Sequence, residues 1–221
     1  MEREPEPEGI NAPCQDQEQT AQDLLKTLVT ARFERSMAVS EKFFKLESSR
    51  VAQVCREMAQ RFHRGGRLLA FGAGAAASDA QHVAVEFVHP VTVGRRALPG
   101  LALGEETSLI PLTADQNGAG SAFAHRLQVL ARTQDIAIGV STGPLGDPAL
   151  VEALKVAHQK GLLTVVFTGG KSDLAAQASV DFCFVVDDPD PWIVQETHRT
   201  LYHILWELVH VYFEHEGLLQ A

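Results

Sequence analysis

Five short apolar runs, RLLAFG, LPGLAL, DIAIGVS, LLTVVFTG and VDFCFVV, lie between residues 67 and 186, separated by helical stretches at 75–88, 119–131, 149–160 and 172–179. Runs this short suit strands buried on both faces. Their alternation with helices predicts an α/β fold, a three-layer αβα sandwich around a central parallel sheet. The stretch VQETHRTLYHILWELVHVYFEH reads as a closing helix. Parallel strands bring their carboxyl ends together, so the loops at 72–76, 141–147 and 168–172 are expected on one rim.

A helical preface stands ahead of the first strand. TAQDLLKTLVTARFERSMAVSEKFF places Leu24, Leu25, Leu28, Phe33, Met37 and Phe43 near a helical repeat. In SRVAQVCREMAQRFHRGG, Val51, Val54, Cys55, Met58 and Phe62 recur at steps of three or four before Gly65 and Gly66 stop the pattern. Two N-terminal helices are therefore expected, packing on the core or on a partner subunit. Residues 1–17, dominated by Pro and Glu, read as a flexible arm. Residues 18–221 read as one domain that includes the helical pair and the closing helix, and 45% apolar content over 221 residues is enough to bury a core.

With 28 acidic residues against 19 Lys plus Arg, the net charge of −9 argues against a broad nucleic-acid contact. Cys14, Cys55 and Cys183 form no C-x-x-C pair and read as thiols or small buried hydrophobes. No apolar run approaches the length of a membrane span, and MEREPEPEGINAPC is acidic where a secretory leader is basic and then apolar. A cytoplasmic chain with no membrane contact is the expectation.

The rim loops give mixed signals. Gly72 and Gly74 precede a helix whose first N–H groups could hold an anion, but the third glycine of a dinucleotide fingerprint is absent; the same glycines also suit a tight strand-to-helix turn. Ser141 and Thr142, with Gly143 and Gly146, could cradle a phosphate. Asp147, placed as an N-cap before Pro148, competes for the same N–H groups, and Pro144 removes a donor. In FTGGKSD, Lys171 offers either a positive charge at the rim or a solvated side chain.

His82 and Glu86, four residues apart in DAQHVAVEFVHP, fall on one helix face. They can meet one divalent ion, pair as proton donor and acceptor, or form an ordinary surface pair. The closing helix repeats the spacing with His203 and Glu207 and adds Gln195, His198 and His210. Gln195 and His203 stand about 12 Å apart along an ideal helix. They share an ion only if the helix begins irregularly near Gln195 or if neighbouring subunits supply different ligands. Trp206, Tyr212 and Phe213 read as packing residues.

In combination, the run Asp79, Ala80, Gln81, His82 with Glu86 and the later Gln195, Glu196, His198 and His203 resemble the sugar isomerase (SIS) domain family. Within it the chain resembles the phosphoheptose (sedoheptulose-7-phosphate) isomerases and their relative, the DnaA-binding replication-initiation protein. The resemblance covers residues 20–215 and implies a SIS fold and a homotetramer. It further implies one Zn²⁺ held by His82, Glu86, Gln195 and His203 at a subunit boundary, with Glu86 as base and His203 as acid in an aldose–ketose shift. Gly74, Ser141, Thr142, Asp115 and Lys171 would position the sugar or sugar phosphate. The family's phosphate loops are altered, with Ala73, Ala75 and Ala76 in the first and Gly143, Pro144, Leu145 and Gly146 in the second. Gln116 stands beside Asp115, Pro90 replaces an arginine and Trp192 an aspartate, while Arg95 or Arg96 of a neighbouring subunit could compensate. The expected function is a metal-assisted isomerase with sedoheptulose 7-phosphate or a related sugar as substrate. The alternative is a non-catalytic oligomeric scaffold or sugar sensor that could bind a replication initiator.

Overall fold

The computed structural model describes residues 12–104, 121–143, 147–170, 179–215 and 217–220, with side chains from residue 20 onward except Ser121 and Gln220. The chain forms two compact units, Met1–Ala38 and Val39–Ala221. No helix among the described residues is long and apolar enough to cross a membrane.

The expected pair of leading helices is one continuous helix, α1, from Ala12 to His63. Neither Gly nor Pro occurs between Cys14 and Arg64, so the residues between the two expected helices include no helix breaker. The ion pairs Lys45–Glu41 and Arg50–Glu47 lace the exposed side along this stretch. The helix also starts inside the stretch expected as an arm, because Pro13 in the first turn removes no needed donor. It stops where Gly65 adopts φ 82°. There Gly65 N–H donates to the Phe62 carbonyl and Gly66 N–H to that of Arg61, closing the helix with a left-handed glycine cap. In the first unit Leu24, Leu25, Leu28, Val29, Phe33 and Met37 are all exposed.

The second unit carries the sheet. Strands β1 (Leu68–Gly72), β2 (Gly100–Leu103), β3 (Ile136–Val140), β4 (Leu163–Gly169) and β5 (Phe182–Val186) pair in parallel in the order β2-β1-β3-β4-β5. Every run expected as a strand is one. The helices are α2 (Ala75–Val88), α3 (Ser121–Leu130), α4 (Pro148–Gln159), α5 (Pro191–Glu214) and α6 (Gly217–Gln220). The helix expected at 172–179 lies outside the described residues apart from Ser179, a turn residue.

Strand residues alternate between two buried layers. Leu68, Ala70, Ile136, Ile138, Val165 and Phe167 meet α1 from Phe43 onward, together with α2 and α5. Leu69, Phe71, Ala137 and Val166 meet α3 and α4. Trp206 is core, with Tyr212 and Phe213 packed against it, as expected of these aromatics. Burial raises the Cys55 thiol to about 12, which keeps it an inert apolar filler.

Polar clasps at the amino ends of the strands fix their register. Fully buried Asp135 accepts from the backbone N–H of Arg67 (2.9 Å) and of Arg132 (3.0 Å), and from the Arg67 guanidinium at 2.7 Å. Thr164 and Asp181 exchange hydrogen bonds at the start of β4 and β5 in the same way. Replacing Asp135 with alanine strands the Arg67 charge and two backbone donors. We expect a loss of about 3–5 kcal/mol in urea unfolding; a loss below 1 kcal/mol would show the clasp to be incidental.

Candidate functional site

The described parts of the second and third rim loops meet at the carboxyl ends of β3 and β4. Thr168 Oγ1 donates to the Gly143 carbonyl at 3.3 Å, Gly143 N–H reaches Ser141 Oγ at 3.4 Å, and Ser141 N–H donates to the Phe167 carbonyl at 2.9 Å. Gly74 caps α2 at φ 61° with no side-chain hydrogen bond. The next donors, on Ala76 and Ala77, turn back to the carbonyls of Ala73 and Gly74. Ala76 is buried and offers no hydroxyl. Asp147 behaves as expected of an N-cap, its Oδ1 accepting from Ala149 N–H at 2.9 Å with Pro148 opening α4. Asp115 and Lys171 lie outside the described residues. Arg95 and Arg96 are used within their own chain: Arg95 lies over Trp206 (4.8 Å) and pairs with Glu214 (3.3 Å), and Arg96 lies over Phe213 (5.8 Å).

Behind the rim, α2 and α5 pack against each other and bring the sequence-selected residues together. His82, Glu86 and His203 place one ligand atom each within 4.8 Å of one another, a donor set able to hold a cation. His82 Nε2 is 3.0 Å from Glu86 Oε1, and the rings of His82 and His203 meet edge-on at 5.4 Å. His203 pairs with this cluster; among the described residues it makes no bond to Glu207. Although His203 is exposed as a residue, partial desolvation of its ring is the largest influence on it and lowers its pKa; Glu86 opposes that lowering, and His82 and Arg199 add to it. A lowered pKa leaves the lone pair free at neutral pH.

The approach to Gln195 is regular. Asp190 Oδ1 caps α5 by accepting from Trp192 N–H at 2.9 Å, and Pro191 opens the helix. An irregular helix start therefore does not carry Gln195 toward His203. Its Nε2 donates to Asp79 Oδ2 at 2.7 Å. Three residues not singled out individually from the sequence complete the surroundings: Asp79, Arg199 and Tyr202. Tyr202 Oη lies 2.8 Å from His82 Nδ1, and Arg199 faces Asp79 Oδ1 at 3.6 Å. One signal was available for Asp79, which shares a helix face with His82 and Glu86 at i, i+3 and i+7. None marked Tyr202, which abuts His82 only through the helix–helix contact.

Residues 33–169 match the family model described as the SIS domain. The chain belongs to the SIS-domain family. Its relatives give the type: this SIS domain is 36% identical over 177 residues to the phosphoheptose isomerase of Thermodesulfovibrio yellowstonii, covering 80% of this chain and 87% of that protein. It is 34% identical over 200 residues to that of Nitratidesulfovibrio vulgaris, covering 90% and 95%. The solved phosphoheptose isomerase of Neisseria gonorrhoeae superposes with a TM-score of 0.75 at 27% identity, over 84% of this chain and 98% of that one. The SIS fold is thus shown, and the family is phosphoheptose-isomerase-like.

His198, a second histidine of α5, supports the rim from beneath. It is fully buried, its Nε2 3.3 Å from the Thr168 carbonyl and its Nδ1 without a partner. Burial pushes its pKa down to about 4. A histidine depressed in the folded state is neutral there while the unfolded chain takes up a proton. Its contribution is therefore full above about pH 6.5 and is lost as the pH falls toward 4, by about 3 kcal/mol. Denaturant unfolding of wild type and His198→Gln at pH 7 and pH 4.5 checks this: the wild type should lose more stability, and parallel losses would refute it.

Proposed function

We propose that this SIS domain is an aldose–ketose isomerase using one divalent ion, Zn²⁺ by donor chemistry, with sedoheptulose 7-phosphate as the first substrate to test. The observation carrying the reading is the convergence of two imidazoles and a carboxylate from α2 and α5 within 4.8 Å. His82, Glu86 and His203 of one copy would hold the ion, with the Gln195 that a second copy supplies as the fourth ligand. A bound ion supplies positive charge to steady the enediolate.

The chain's own groups then have distinct tasks. Glu86 would give one carboxylate oxygen to the ion and with the other take the proton from the carbon beside the carbonyl and return it to the neighbouring carbon. His203, as acid, would give the hydrogen on its free ring nitrogen to the carbonyl oxygen and recover one from the neighbouring hydroxyl. Ser141, Thr142 and Gly74 would position the sugar. The Asp147 cap and Ala76 weaken the case for a strong phosphate hold and favour, as a second reading, a sugar-binding sensor without turnover.

Assembly as a homotetramer is part of the proposal. The exposed apolar residues Leu25, Leu28, Phe33 and Met37 support it, and a second copy offers the remaining route for shared ligands. Light scattering at micromolar protein should give the tetramer mass; a monomer would sink the assembly.

The activity is tested by direct conversion of phosphorylated and unphosphorylated seven-carbon sugars with zinc present. Wild type should turn over at least one, and Glu86→Gln should fall by about 10²–10⁴-fold. Binding without turnover would favour the sensor, and full activity in Glu86→Gln would remove the assigned base. Protein purified without chelator should carry zinc that His82→Ala has lost; equal zinc in both would overturn the ligand assignment.

A further inference from the structure

The packing of α2 against α5 places three polar side chains directly behind the residues assigned to the ion. We propose that Asp79, Arg199 and Tyr202 form a positioning shell that orients His82 and Gln195, and so sets the metal affinity of the site without touching the ion. The inference rests on the reading that His82, Glu86, Gln195 and His203 are the ligands.

Tyr202 controls one arm. His82 has two ring nitrogens, with Nε2 facing Glu86 at 3.0 Å and Nδ1 facing the Tyr202 hydroxyl at 2.8 Å. Held on both sides, the ring presents Nε2 to the cluster. A hydroxyl both donates and accepts. When Nε2–H donates to Glu86, the hydroxyl donates to Nδ1; when Nε2 is bare for a cation, Nδ1–H donates to the hydroxyl oxygen. The phenol thus holds the ring through the change of tautomer that metal binding requires. It is 1% exposed and stands edge-on to both His82 (5.2 Å) and His203 (4.9 Å).

Asp79 controls the other arm. It is fully buried, and its Oδ2 receives Gln195 Nε2 at 2.7 Å. An ionised carboxylate has no hydrogen to give, so the Gln195 amide must present its NH₂ here, leaving Oε1 as the free end, the end a divalent ion takes. Asp79 Oδ1 accepts no hydrogen bond and is balanced by Arg199 at 3.6 Å. Arg199 also acts electrostatically on Tyr202, which links the two arms. A fully buried carboxylate is costly to hold, and its side-chain partners among the described residues, Gln195 and Arg199, lie beside the assigned ligands.

The test is zinc affinity of the full-length protein, measured by competition with a chromophoric chelator, together with the visible spectrum of the Co²⁺ form. Tyr202→Phe keeps the ring and removes one oxygen. It should bind zinc about 10–100-fold more weakly, alter the Co²⁺ spectrum, and leave the unfolding midpoint of the metal-free protein near that of wild type. Asp79→Ala should weaken binding similarly, and Asp79→Asn, which retains an acceptor for Gln195, should recover most of it. Wild-type affinity in both Tyr202→Phe and Asp79→Ala overturns the shell while the ligand set stands. Equal binding by wild type and His82→Ala overturns the ligand set and the shell with it.

Discussion

Because every strand of the sheet runs in the same direction, each connection must cross back over a face, and both faces must be covered. The rest of the molecule follows from that constraint. Alternate residues of β1, β3 and β4 feed two apolar layers, and one layer obliges α1, α2 and α5 to share a single face. Helices α2 and α5 are neighbours on that face, so residues more than a hundred positions apart are brought within bonding distance. The polar clasps at Asp135 and Asp181 act at the opposite edge of the strands, fixing the register on which that neighbourhood depends.

The α2–α5 seam combines two kinds of packing. Toward the ends of the helices it is apolar and aromatic, with Phe87, Trp206 and the ring of His210 in contact. His210 places Nδ1 2.7 Å from the Trp206 carbonyl and Nε2 2.9 Å from that of Arg96, so it ties the segment following α2 to α5. Nearer the rim the seam is ionic, with Asp79, Arg199 and the His–Glu cluster. Buried charge of this sort adds little net stability. Its presence beside fully apolar neighbours is a reason to assign it to chemistry, and the relationship to phosphoheptose isomerases agrees with that assignment.

Periodicity made the sheet legible, because a strand buried on both faces leaves a short apolar run whatever its neighbours are. It divided the helical preface in two, although the residues between Phe44 and Ser49 include no breaker and the helix runs through them. The pair His82 and Glu86 was readable from their spacing on one helix. Joining them to His203 needed the family resemblance, and the roles of Tyr202 and Asp79 needed the contact itself. Which residue of α5 falls opposite His82 depends on helix rotation and translation on the sheet, quantities that no local pattern encodes. Gln195 illustrates the same limit: its distance from His203 was computable, whereas its partner on α2 was not.

The Asp147 cap has a meaning beyond helix stability. A carboxylate fixed by its own backbone at the start of α4, 2.9 Å from Ala149 N–H, is an anion that can never diffuse away. Linked ligands of this kind act at effective concentrations of roughly millimolar or above. Any free anion approaching the same amides meets a resident competitor whose occupancy does not depend on what the surroundings contain. The Ala149 amide is in that sense already taken.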